Sequence, residues 1–313
     1  MEEPEHHRRF QIAASQWRLF FVVLVLSIAG MVFFGLMRGG LNDSAALYVG
    51  LPIIIALGMS LTPRAKSAMG ATMKGLTIAL LLAVPVFQEG YICVLMAAPI
   101  LYGVAALIAW PLDKDEKKRA EGDNSSNVQV AAITILLALA SLEGTHEVLS
   151  FERHNVVEAI RIVDADVATV RAQLAQTPEF DRARPFFIRI FPLPVSVAGS
   201  GLAVGDERTL HFVYNKWLYF NAHAGDTVFR VAEATDHVVR FEIPQDDSYL
   251  SHYLTWESSE VLLEPLDHGQ TKVTWRLAYQ RKLDPIWYFG PMQQYAARLT
   301  AETLIDNVAD PAH

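Results

Sequence analysis

The chain has 313 residues, of which 52% are hydrophobic and 19% charged, below the usual charged share of about 25%, and its mean hydropathy is +0.22. Net charge is −8: residues 1–142 hold 11 basic and 10 acidic side chains and 143–313 hold 15 and 24, so the acidic C-terminal part repels phosphate backbones and nucleic-acid binding is excluded. The single cysteine, Cys93, rules out an intramolecular disulfide and a cysteine-based metal site, and it reads as a small buried hydrophobe.

The apolar excess lies before residue 143, which predicts a membrane part joined to a soluble part. Residues 1–18 form a charged N-terminal segment, and 19–142 a membrane region of about five helices. The expected spans are Leu19 to Met37, Ala45 to Leu61, Gly75 to Phe87 (with Ala71 to Met73 joined and Lys74 snorkelling), Tyr91 to Leu112, and Val128 to Leu142. The first run is too long for a signal-peptide core and has no small-x-small site before Arg38, so it reads as uncleaved. Pro85 and Pro99 are expected to kink their helices. Glu89 sits in the polar turn Gln88-Glu89-Gly90, and Gly35-x-x-x-Gly39 is a weak packing motif. No pair of intramembrane charges marks an ion pathway.

Lysine and arginine placement gives a direction. Arg8, Arg9 and Arg18, then Arg64, Lys66 and Lys74, then Lys114, Lys117, Lys118 and Arg119 fall on one side, and only Arg38 on the other. The N-terminus and the loop 113–127 are therefore cytoplasmic. Val128 to Leu142 has about 15 residues, roughly 22 Å as a helix, against a hydrocarbon core of ~30 Å. If it crosses, the rest of the chain is extracytoplasmic at a plasma or inner membrane. If it is an amphipathic or buried helix, the rest is cytoplasmic.

From Glu143 the periodicity changes. Val156, Ala159, Ile160 and Ile162 are strand-like, Asp164 is a helix N-cap, and Val167, Val170 and Leu174 follow at helical spacing up to Thr177-Pro178. Gly199, Gly201 and Gly205 punctuate a loop before a strand over Glu207 to Asn215. Period-two runs then cover Phe229/Val231, Val239/Phe241/Ile243, His252/Leu254/Trp256 and Val273/Trp275/Leu277/Tyr279, with turns at Asp236-His237 and Asp267-His268-Gly269. Arg276 and Glu242 fall on the solvated phase. This predicts an antiparallel meander with one apolar face. A helix from Ile286 to Val308, with Asp284 as N-cap and Pro285 first, covers that face through Phe289, Met292, Tyr295, Ala296, Leu299 and Thr303, and Gly290-Pro291 is expected to kink its start. Trp287, Tyr288 and Phe289 read either as a cap on the core or as a membrane-interface cluster.

This order resembles the SRPBCC superfamily, the START-like or Bet v 1-like helix-grip domains, across roughly 146–308, and within it the polyketide cyclase/dehydrase-like members. The matching stretches are Ala165-Asp166-Val167-x-x-Val170, Gly205-Asp206-Glu207-Arg208 and Gly269-Gln270-Thr271-Lys272-Val273-Thr274-Trp275. The fold class expected is thus an α-helical membrane bundle plus an α+β helix-grip domain over 143–313. The resemblance implies a hydrophobic cavity between sheet and helix and no particular reaction.

Candidate cavity residues are Tyr214, Phe229, Phe241, His252, Trp256, Trp275, Tyr279, Met292, Tyr295 and Leu299. His252 reads alternatively as a hydrogen-bonded strand histidine, and the tyrosines as core packing. The histidines form no H-x-H or H-E-x-x-H spacing, and no nucleophile elbow, P-loop or dinucleotide fingerprint is present, so no metal, cofactor or catalytic residue is assigned. The expected partners are the bilayer and a hydrophobic small molecule or lipid. A protein-interaction module with a filled core and a cyclase-like enzyme are the alternatives.

Overall fold

The computed structural model describes residues 16–25, 28, 51–61, 65–87, 91–120, 142–180, 185–217 and 220–310. The chain divides into two compact units, residues 1–138 with 216–221 and residues 139–215 with 222–313.

In the first unit the described residues form helices α1 (Gln16–Val25), α2 (Leu51–Leu61), α3 (Ala68–Phe87) and α4 (Tyr91–Ala120). Val23, Ala56 and Ile78 bring the first three together in one apolar cluster. The Asp113 carboxylate of α4 accepts the backbone N–H groups of Ala68 and Met69, which neutralises two of the free donors that open α3. The Thr77 and Tyr102 hydroxyls meet at 2.6 Å between α3 and α4.

Only Ile92–Asp113 within α4 is both long and apolar enough to cross a bilayer among the described residues; Gln16–Val25 and Ala68–Ala83 are apolar but shorter. Of the five expected spans, one therefore qualifies among the described residues. Helix α3 does join Ala71 to Met73, and α4 runs on through Lys114 to Arg119, where a loop was expected. Most of Val128 to Leu142, the Gln88–Gly90 turn and Gly35 to Gly39 lie outside the described residues.

The second unit is a seven-stranded antiparallel sheet with a long C-terminal helix. Strands β1 (His154–Val163), β2 (Pro194–Ala198), β3 (Glu207–Trp217), β4 (Phe220–Ala234), β5 (Val238–Asp246), β6 (Leu254–Pro265) and β7 (Thr271–Arg281) lie in the order β1-β7-β6-β5-β4-β3-β2. Strands β2 to β7 are thus a plain meander, closed by β1 beside β7 with Ala159 opposite Trp275. Helix α5 (Val167–Leu174) follows β1. Its N-cap is Asp166, which accepts the Thr169 N–H at 2.8 Å; the expected cap, Asp164, instead accepts a hydrogen bond from Gln270. Gly199 has φ +94°, and a Cβ there would meet the Glu207 carbonyl oxygen at 2.1 Å, so the return into β3 requires glycine.

The outer face of the sheet carries a chain of ion pairs. Glu233 meets Arg240, Arg240 meets Glu260, Glu260 meets Arg276 and Arg276 meets Glu158, crossing β4, β5, β6, β7 and β1 in turn. A second run joins Glu207, Arg230 and Glu242, which places Glu242 and Arg276 on the solvated side, as their phase predicts. Each exposed pair stabilises little, but opposite charges across neighbouring strands favour this register over a slipped one.

The inner face packs on helix α6 (Ile286–Leu304), which continues as one wider turn over Ile305–Ala309. Of the residues expected to face inward, Leu299 and Thr303 are buried, but most of the stripe is made of others. Gln293, Ala297, Ala301, Ile305 and Val308 are buried, whereas Tyr295 is 54% exposed and leans on Phe187 at 5.4 Å. Small side chains at the centre of the helix let it sit close to Tyr279 and Leu254 at one end and to the cluster of Val231, Val261, Trp275 and Leu277 at the other.

The start of α6 also differs from expectation. Pro285 is the N-cap residue and supplies no side-chain bond; Glu143 reaches it from the other end of the unit and accepts the Ile286 N–H at 2.7 Å. Asp284 instead accepts hydrogen bonds from Arg281 and Arg153. Arg281 is only 1% exposed, and Glu143 stands 3.9 Å from its Nη2. The first residues of the unit are thereby tied to the last strand and the last helix.

The close approach predicts that Ala301→Leu, placed against fully buried sheet residues, destabilises the second unit by about 1–3 kcal/mol through overpacking. Thermal unfolding of the detergent-purified chain should show a lowered transition, while the same change at exposed Arg298 should leave it within about 0.5 kcal/mol.

Candidate functional site

Phe229 and Phe241 stand on neighbouring strands with their rings 6.5 Å apart and nearly perpendicular, and Trp275 lies on β7. Together with Leu304 and Val308 from the end of α6 and Phe180 from the loop after α5, they line a cavity of about 40 Å³ between sheet and helix. That is room for about three water-sized bodies. The Trp275 indole N–H donates to Ser259 Oγ at 2.8 Å, which fixes the ring and leaves the serine hydroxyl hydrogen free to donate.

Arg208 is the charged member of this wall and is 4% exposed. Its Nη2 donates to the Leu174 carbonyl at the end of α5 and to the Gly201 carbonyl at 3.0 Å. Its guanidinium carbon sits 5.3 Å from the centroid of the Phe241 ring, within cation–π range. The Nε has no hydrogen-bond partner among the described residues, and no carboxylate there lies within ion-pair distance of the guanidinium. Burial lowers the pKa of this guanidinium from its ordinary value, with Asp206 opposing the shift.

The other candidates divide into three groups. Trp256 and Tyr279 meet edge to face at 5.8 Å and pack with Leu254 and Ala297, closing the interior toward the start of α6. The Tyr279 hydroxyl has no partner among the described residues, and burial pushes its pKa up to about 12. Tyr214 stacks on Tyr249 at 4.3 Å, and Tyr249 also touches the rings of His223 and His252. His252 is not in a strand. It ends the turn Tyr249–His252, is exposed, and bonds the Tyr249 carbonyl through Nδ1 at 3.1 Å. Met292 is half-buried, Tyr295 exposed and Leu299 buried, and none of the three lines the cavity.

Of the ten expected residues the cavity brings together Phe229, Phe241 and Trp275; it adds Arg208, Ser259, Leu304 and Val308. Arg208 was legible from phase. It alternates with Glu207 and Thr209 and shares the inward phase of Leu210 and Tyr214. Among the described residues no cluster of three or more His, Cys, Asp or Glu side chains could hold a metal ion.

No family model matches the chain, and no curated protein matches it. Solved structures similar to it include a START superfamily protein from Mycobacterium smegmatis, at 17% identity over 49% of this chain and 92% of that one, TM-score 0.34. A truncated norcoclaurine synthase from Thalictrum flavum is similar at 13% identity over 52% and 98%, TM-score 0.33, and a ginseng major latex-like protein from Panax ginseng at 12% over 48% and 98%, TM-score 0.28.

Tyr279 yields a pH test. A phenol with an unfolded pKa near 10 and a folded value of about 12 keeps its proton in the folded state across that window. The folded state then binds more protons than the unfolded one, so stability falls as pH rises from about 10 toward 12 and is unaffected below. Tyr279→Phe should match or exceed the wild-type chain in stability at pH 7, by up to about 1 kcal/mol, because it removes a buried hydroxyl with no partner. Denaturation at stepped alkaline pH should show the wild type losing ground to the variant only above pH 10.

Proposed function

We propose that this chain is a membrane-attached helix-grip module that takes a small hydrophobic ligand, or the end of a lipid-like one, into the cavity between its sheet and its C-terminal helix. The observation that carries the reading is that cavity: an apolar space lined by Phe229, Phe241, Trp275 and the end of α6, beside the buried core of the sheet.

Membrane attachment rests on the polarity of the first unit and on the surface of the second. In α4, Leu95, Leu107 and Trp110 face outward, and Ile54 does so in α2, so apolar side chains are presented where a soluble bundle presents polar ones. The bundle of about five spans, the cytoplasmic N-terminus and the extracytoplasmic C-terminal domain follow from the run lengths and the positive-inside distribution. In the second unit the turn that begins at Leu142 exposes Val148 at 86%, with Leu149 and Phe151 beside it, and Trp287 is 62% exposed at the start of α6. Glu143 links these two places through its bond to Ile286. An apolar collar directly after a charge-free run is suited to the bilayer interface.

A protein-interaction role is the second reading, favoured by how little interior space remains beside Ala297 and Ala301.

Native mass spectrometry of the detergent-purified chain, loaded from a lipid extract, is expected to show one retained hydrophobic molecule. Its absence across extracts would favour the interaction role. Paired reporters fused after His313 should be active only when of the extracytoplasmic type; fluorescence from a cytoplasm-only reporter would overturn the topology.

A further inference from the structure

We infer that the cavity at the end of α6 is an anion-selective pocket whose ligand is a short aliphatic carboxylate, or the carboxylate end of a longer acid, held by Arg208. This deepens the ligand-binding reading and rests on it.

Unlike Arg281, Arg208 has no carboxylate in ion-pair contact among the described residues. A guanidinium has five N–H donors and a charge that persists at neutral pH. Here it is removed from water, over an aromatic ring, with carbonyl oxygens on Nη2 and no partner for Nε among the described residues. Carbonyls and a ring face compensate such a charge only in part; a carboxylate compensates it fully, with a charge-assisted bond. Elsewhere in the same unit this chain does supply carboxylates to a buried arginine, since Arg281 has Asp284 and Glu143. Arg208 borders the cavity.

The rest of the wall selects the ligand class. Arg208 lines the cavity, so a carboxylate there can take a charge-assisted bond from its guanidinium, and the Ser259 hydroxyl on the same cavity has a hydrogen to donate. Phe229, Phe241, Leu304 and Val308 leave only apolar surface for the remaining atoms. The volume of about 40 Å³ is small, which restricts the ligand to the shortest acids or to the carboxylate end of a longer one. Phosphate and sulfate meet the charge but bring oxygens toward surfaces that offer no donors.

The test is calorimetric titration of the full detergent-purified chain at pH 7 with propionate, its neutral isostere propionamide, and inorganic phosphate. Propionate is expected to bind at least tenfold more tightly than either. Arg208→Gln should abolish that preference, and Arg208→Lys, which keeps charge without the Nε donor, should reduce it. If neither variant folds, the acid-to-amide ratio of the wild-type chain decides alone. Equal binding of propionate and propionamide would overturn the anion selectivity while leaving the ligand-binding reading intact. Preference for phosphate would overturn the ligand class. If propionate and propionamide both fail to bind while decanol binds, this inference fails and the wider reading stands; if decanol and the lipid extracts fail too, both fall.

Discussion

The distance between the C-terminal helix and the sheet governs what this domain can hold. Ala297 and Ala301 occupy the middle of the inward stripe, and each is almost fully buried against strand side chains. Side chains of this size let the helix lie close, and close packing recovers dispersion contacts that a wider gap forfeits. The consequence is a graded interior. Toward the start of α6, Leu254, Trp256 and Tyr279 pack together with Ala297, and the cavity lies near Leu304 and Val308, where the helix ends. A helix with Met or Leu at 297 and 301 would stand off the sheet and enclose a larger chamber. This sequence builds a small one.

The two fully buried arginines show how differently the ends of that interior are treated. Arg281 at the closed end is bonded to Asp284 and to the Leu283 carbonyl, with Glu143 near, and the same Glu143 neutralises the N-terminus of α6. A buried charge with carboxylates on it is locked in place, and removal of either partner leaves the other uncompensated at a cost of several kcal/mol. That lock is structural: it fastens residues 143 and 153 to the final strand and helix. Arg208 at the open end carries out a similar fastening, joining α5 to the glycine loop, but with carbonyls alone. Both arginines keep a buried Nε without a partner among the described residues, and the difference between them is that Arg281 has carboxylates beside it.

Much of the second unit was legible because its signals are local. Period-two runs gave the meander from β3 to β7, and Thr177-Pro178 marks the end of α5. The inward face of α6 was legible only in part: Leu299 and Thr303 are buried as expected, while Tyr295 meets Phe187 and Met292 is half-buried. The centre of the buried stripe holds Ala297 and Ala301, which carry little hydrophobic weight in a periodicity count. Asp284 looked like a cap because it precedes a proline and a helix, yet a partner 143 positions away in the numbering took that place, and no local pattern encodes a contact that distant. His252 followed the alternation of Leu254 and Trp256 but falls in the turn before β6, where element boundaries are least readable. Arg208 is hard to read because charged residues default to the surface, although its phase with Leu210 points inward.

The surface of the same unit is sorted as sharply as its interior. Alternating glutamates and arginines cross the outer face strand by strand, and a face so covered gains nothing by meeting lipid, because each pair would lose its water. Exposed Val148, Leu149 and Phe151 lie within ten residues of Leu142, and Trp287 follows the Ile286 that Glu143 holds. Apolar exposure at the entry to the unit and charge across its sheet are what a domain requires if it is held at a bilayer by one end and must keep the other in water. The buried lock between Glu143, Arg281 and Asp284 lies at that entry and ties the first residues of the unit to its last strand and last helix.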